Sequence, residues 1–130
     1  MLDTNIISYL IKNRDFKLID KFDEMSKEHV IAVSSITEAE LFYGVKKKKS
    51  HKLEIAVIEF LYPLDKLAFD DNAALTYGDI RVQLEASGNT IGSHDMFIAA
   101  HAKSIDAILV TNNTREFQRV IGLQLEDWVS

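Results

Sequence analysis

Two short runs of aliphatic and β-branched residues, His29 to Val33 and Ala107 to Val110, are each followed by a polar cluster and then by a helical rhythm. Such runs read as buried parallel strands feeding helices, because a strand covered on both faces has no polar side to alternate with. Met1-Leu2 reads as the end of a third strand, and Leu123-Gln124-Leu125 as a short edge strand. Ala74, Leu75, Gly78, Val82 and Leu84 keep a helical spacing that Asp70 is placed to cap and Gly88 to stop. A second helix, capped by Ser93, carries Phe97, Ile98, Ala99, Ala102 and Ile105, and its small residues would let it lie close to a sheet. The one proline, Pro63, is placed to end a helix. Strands alternating with helices over this length predict an α/β/α sandwich with a short parallel sheet. Ligands of such sheets gather where strand ends meet helix starts. Only two residues precede Asp3, against about five in an ordinary strand, so either the first strand is unusually short or a few native residues stand upstream.

Composition narrows the picture. The 130 residues, 47% of them hydrophobic, are expected to form a single domain over residues 1–130 around one core. With no cysteine there is no disulfide and no thiolate metal site, so a metal would be held by oxygen or imidazole and a reducing cytoplasm fits best. Apolar runs of only a few residues, and an acid at Asp3 where a signal peptide carries positive charge, argue against secretion and against membrane spanning. The formal net charge of -5 argues against a general nucleic-acid binder. Charge is uneven, however: Lys46, Lys47, Lys48, Lys49 and Lys52 place five of the 15 Lys and Arg residues in seven positions, with His51 among them. That stretch reads equally as a solvated helix connection or as a phosphate-contacting patch.

Candidate chemistry lies in acids far apart in sequence. Asp3-Thr4-Asn5 reads as a helix N-cap, or as a cation-holding carboxylate at a strand end with Thr4 and Asn5 bonding backbone or phosphate oxygens. Glu38 and Glu40 stand roughly 200° apart on a helix, so at most one can face a common pocket. Glu40 shares its face with Ile36, Thr37, Tyr43 and Gly44, and Glu38 shares its own with Leu41, Phe42 and Val45, so periodicity does not choose. Asp95 falls in the first turn of its helix, where unpaired N-H groups favour a carboxylate. Its one-turn neighbours Ile98 and Ala99 turn it inward, where an acid needs a partner. Thr111 to Phe117 follows the Ile108-Leu109-Val110 run; Thr111 and Asn113 read as helix caps or neutral ligands, and Arg115 as a surface ion-pair residue or a phosphate clamp. His94 and His101 are two turns apart and make a poor zinc pair. No Gly-rich phosphate loop or serine elbow occurs. Several carboxylates gathered at one point would repel unless a hard divalent cation sat among them.

Taken together, Leu2-Asp3-Thr4-Asn5-Ile6, Ser34 to Gly44, Gly78-Asp79-Ile80-Arg81, Ile91 to Asp95, Ile98 to Ala102 and Val110 to Phe117 resemble, in order and spacing, the PIN-domain ribonucleases. Within them the chain resembles VapC, the toxin half of bacterial type II toxin-antitoxin pairs. The resemblance implies an α/β/α fold and an endoribonuclease dependent on Mg²⁺ or Mn²⁺, with Asp3, Glu40 and Asp95 as its catalytic and metal-holding acids. It thus selects Glu40 over Glu38. Many PIN domains carry a fourth acid after the last long strand, where this chain offers Asn113, which puts a second metal in question. The resemblance further implies hydrolysis to a 5'-phosphate and a 3'-hydroxyl, inhibition of translation, an initiator tRNA substrate cut at the anticodon region, a homodimer, and silencing by a cognate VapB-type antitoxin. Rival readings are weaker. A haloacid-dehalogenase-like phosphotransfer site wants an Asp at position 5, which is Asn, and a receiver domain wants its acceptor mid-chain. A catalytically inactive PIN-like module that binds protein would differ by taking up no metal.

Overall fold

Met1 and Leu2 join what would otherwise be two separate pairs of strands. The computed structural model describes residues 1–129, and in it β1 (Ala32–Ser34) pairs in parallel with β2 (Asp65–Leu67) while β3 (Ile108–Val110) pairs in parallel with β4 (Gln124–Glu126). Leu2 N donates to Ala32 O at 3.0 Å on one side, and Val110 N to Met1 O at 2.8 Å and Asp3 N to Val110 O at 2.9 Å on the other. The sheet therefore runs β2, β1, Met1–Leu2, β3, β4, all parallel where paired. Residues alternate between its faces: Met1 and Leu109 pack into one hydrophobic cluster, Leu2 and Val110 into another. The first cluster lies under α5 (Asp71–Ser87), α6 (Ser93–Ser104) and α7 (Thr114–Phe117), and the second under α1 (Thr4–Lys12), α2 (Phe16–Glu28), α3 (Ser35–Lys48) and α4 (His51–Leu61). Helices on both faces of a short parallel sheet make the expected α/β/α sandwich.

Several boundaries differ from the pattern read off the chain. The strand expected from His29 begins at Ala32, because the His29 N-H still serves α2, donating to Met25 O at 2.9 Å, and Val30 is 78% exposed. Strand β2 is cryptic, since Asp65 and Lys66 are exposed and follow Pro63. Helix α4 does stop just before that proline. Helix α5 is capped by Asp70, whose side chain accepts from Ala73 N, and ended by Gly88 at φ 70, where a residue with a Cβ would be strained. Its buried face is Ala73, Ile80 and Leu84; Leu75 and Val82, expected on the inner stripe, are 72% and 68% exposed. Ser93 opens α6 as its first residue, and the N-cap is Gly92, which supplies no side-chain bond. No helix among the described residues is long and apolar enough to cross a membrane.

Candidate active site

At the carboxyl end of the Met1–Leu2 segment the chain turns straight into α1. Asp3 makes that turn, its Oδ1 accepting from Thr4 N at 2.7 Å and its Oδ2 from the Thr111 hydroxyl at 2.8 Å, with 4% of its surface exposed. The two readings of Asp3 are thus compatible: it caps the helix with one oxygen and faces inward with the other. Burial pushes the Asp3 carboxyl above its usual range; the bonds from Thr111 and Thr4 pull it back, and the charge of Glu40 adds to the rise.

Glu40 reaches the same place from α3. The Thr4 hydroxyl donates to Glu40 Oε1 at 2.9 Å and lies 3.3 Å from the Thr37 hydroxyl, so one threonine ties the first acid's helix to the second acid. Glu40 Oε2 stands 3.7 Å from His94 Nδ1 on α6. Of the two glutamates it is Glu40 that meets Thr4. Asp95, in the first turn of α6, is pushed up to about 6, first by burial, then by the charges of Asp3 and Glu116, by a hydrogen bond with Glu116 and by the charge of Glu40. The helix dipole favours the opposite shift. Burial outweighs it, and the neighbouring carboxylate charges add to the rise.

Glu116 escaped the reading of the sequence. Its Oε2 accepts from Asn113 Nδ2 at 2.6 Å and its Oε1 from Gly92 N at 3.3 Å. The Asn113 bond is the main reason its carboxyl is held below the usual range. The negative charge that seemed missing at Asn113 stands three residues later, oriented by that asparagine. The available signal was spacing: one helical turn carries a side chain from 113 back to the same face at 116.

The supporting residues divide. Thr4, Thr111 and Asn113 join the cluster, with the Thr111 hydroxyl also accepting from Asn113 N at 3.0 Å. Asn5 and Arg115 are exposed, and among the described residues neither bonds any of the four acids. His101 is buried, its Nδ1 2.7 Å from the Ser34 hydroxyl, and burial lowers its pKa. Ser34 Oγ also accepts from Ile36 N as the cap of α3. The contact between His101 and Ser34 fixes the helix of Asp95 against the start of the helix of Glu40.

The donor set is all oxygen apart from exposed His94, which suits a hard cation. Among the described residues no group of three or more His, Cys, Asp and Glu side chains is placed to hold a metal ion directly. The carboxylates are close enough to shift one another's ionisation, which suits an ion that keeps much of its water, as Mg²⁺ does. Glu40 opens onto a groove of about 190 Å³ between α1, α3 and α4. A separate groove of about 390 Å³ lies toward the amino ends of the strands, lined by residues including Met1, Ile31, Ile108 and Trp128, and touches none of Asp3, Glu40, Asp95 and Glu116.

The model of the PIN domain family matches residues 1–123. Ribonuclease VapC2 of Haemophilus influenzae is 46% identical over 130 residues, covering 99% of this chain and 97% of that protein. The tRNA(fMet)-specific endonuclease VapC of Shigella flexneri is 43% identical, covering 98% and 96% respectively. Among solved structures, VapBC2 from Rickettsia felis bound to a DNA fragment from its promoter superposes with a TM-score of 0.93 at 40% identity, covering 98% of this chain and 97% of that one. A second, DNA-bound VapBC from Salmonella typhimurium, gives a TM-score of 0.86 at 40% identity, with 98% and 96% covered. The fold, the turn that carries Asp3 and the full-length likeness agree: the chain belongs to the PIN-domain family and, within it, to the VapC ribonucleases.

Proposed function

We propose that this chain is a metal-dependent endoribonuclease toxin, one domain across residues 1–130, with Asp3, Glu40 and Asp95 as its catalytic acids and Glu116 as a fourth carboxylate beside them. The observation that carries the reading is the junction in which Thr4 joins Asp3 to Glu40 at the strand end while Thr111 holds the other Asp3 oxygen, with the charges of Asp3, Glu116 and Glu40 all felt at Asp95. A site that strains to hold a fourth negative charge gains affinity for Mg²⁺ or Mn²⁺ by the same repulsion. When bound, the cation would activate an attacking water and neutralise charge building on the phosphate.

The protein's own groups do the positioning. Asp3 is locked by Thr4 N-H and the Thr111 hydroxyl, and Glu40 by the Thr4 hydroxyl, so the first two acids move as one unit. Asp95 would hold the cation in its ionised form, while Glu116, held below its usual range by Asn113, stands beside it. Water attack on the phosphodiester would leave a 5'-phosphate and a 3'-hydroxyl with no part for the 2'-hydroxyl.

The likeness to the tRNA(fMet)-specific endonuclease of Shigella flexneri supports initiator tRNA as the substrate, and cleavage there would stop translation. Structures of the relatives as VapBC pairs support a VapB-type antitoxin as the inhibitor of this chain. A homodimer in the cytoplasm, where tRNA resides, completes the proposal. Incubating the purified chain with tRNA and Mg²⁺ or Mn²⁺, then mapping the ends, tests it: one cut with a 5'-phosphate product is expected, lost with EDTA and in Asp95→Asn. Undiminished cleavage by a folded Asp95→Asn variant would sink the assignment.

A further inference from the structure

We infer that the groove between α1, α3 and α4 carries the RNA strand away from the acids, with Lys12 and Lys48 as its phosphate contacts. This inference rests on the ribonuclease reading above and says where the substrate lies. On α3, Glu40, Gly44 and Lys48 follow one another at intervals of four, and on α1 so do Thr4, Ser8 and Lys12, so each set shares a helix face. All six line the same groove. The two helices thus leave the acid cluster together, keep the middle open with Ser8 and Gly44, and each end in a lysine. Eight residues of helix put Lys48 about 12 Å from Glu40 along the axis.

Two of the other lysines of the basic run are engaged elsewhere, and a third turns the chain. Lys46 pairs with Glu54 at 3.7 Å, Lys47 lies 5.9 Å from the centre of the Tyr43 ring, and Lys49 ends α3 in a left-handed turn at φ 51. Only Lys48 among residues 46 to 49 lines the groove that begins at Glu40. Charge complementarity argues for a polyanion. A cluster of carboxylates repels RNA, and fixed cations a short way along the groove offset that repulsion while leaving the acids free to hold their metal. The groove floor of Leu41, Leu53 and Val57 is apolar and offers surface to bases rather than phosphates.

The test is steady-state cleavage of a short RNA stem-loop with Mg²⁺ across a range of salt, comparing wild type with Lys12→Gln/Lys48→Gln. The double variant should flatten the dependence of log kcat/KM on log salt by about 1.4, equivalent to a rise in KM of about 25-fold near about 0.1 M salt. Its kcat should be unchanged. Lys46→Gln/Lys47→Gln should behave as wild type, and Lys12→Arg/Lys48→Arg should keep the wild-type slope. Wild-type KM and slope in the double variant, while wild type cleaves, would overturn the track and leave the active-site reading standing. So would a fall in kcat alone, or a defect confined to binding a purified VapB-type antitoxin, which would assign the groove to protein. No cleavage by wild type would overturn both readings.

Discussion

The starts of α1 and α6 each deliver an aspartate to the same point, and they do it in opposite ways. At α1, Asp3 is both cap and proposed metal-holding acid: its two oxygens accept hydrogen bonds from Thr4 N and Thr111 Oγ1. At α6 the cap is Gly92 without a side-chain bond, and Asp95 meets chiefly other carboxyl groups. One acid is built into the fold and the other is imposed on it. Burial raises both carboxyls, but Asp3 caps its helix and satisfies Thr111 in return, whereas the cap of α6 takes no side-chain bond from Asp95.

The strongest way to break this contrast is to remove each acid and measure both cleavage and melting. Asp3→Ala should lower cleavage by on the order of 10³. It should also cost about 1 to 3 kcal/mol in urea unfolding, from the lost cap and from the Thr111 hydroxyl left buried without its acceptor. Asp3→Asn should recover much of that stability, since asparagine caps as well as aspartate, without recovering cleavage. Asp95→Asn should lose cleavage to the same degree while melting at the same temperature as wild type or higher at pH 7.5. An Asp95→Asn protein less stable than wild type would show that the acid is structural after all.

Acidity sharpens the same point. The folded pKa of Asp95 is about 6, above the usual 3.8, so the folded state holds this proton more tightly than the unfolded chain does. Its contribution to stability is present in full below the unfolded value and is lost as pH rises through 6. Metal-free wild type should therefore lose melting temperature relative to Asp95→Asn between roughly pH 4 and 7. Added Mg²⁺ or Mn²⁺ should restore more of it at pH 7.5 than at pH 5.5. The smallest effect is expected at Glu116→Gln, which removes one repelling charge. The midpoint for metal-linked proton release should move to lower pH, and cleavage should fall by about 10- to 100-fold, as for residues that orient ligands.

The contrast also explains what could be read from the chain. Asp3, Glu40 and Asp95 could be named as candidates because a family resemblance supplied an order and spacing that no single segment carried. Helix α5 was legible from its ends, Asp70 and Gly88, because capping is local chemistry. Its inner face was not, since Leu75 and Val82 are apolar yet exposed, and neighbouring elements decide which side of a helix is covered. Strand β2 was hidden for the converse reason: Asp65 and Lys66 make backbone ladder bonds with polar side chains outward. Glu116 went unseen because Asn113 occupied the expected position, and only the 2.6 Å bond between them reveals that the two act together.

The bond between Thr111 and Asp3 spans 108 positions, and the contact of Met1 with Ile108 spans 107. During synthesis Asp3 therefore waits for a segment 108 positions downstream before both its oxygens are held. A chain cut short of Thr111 would keep Asp3, Glu40 and Asp95 but lack the hydroxyl that fixes the first of them.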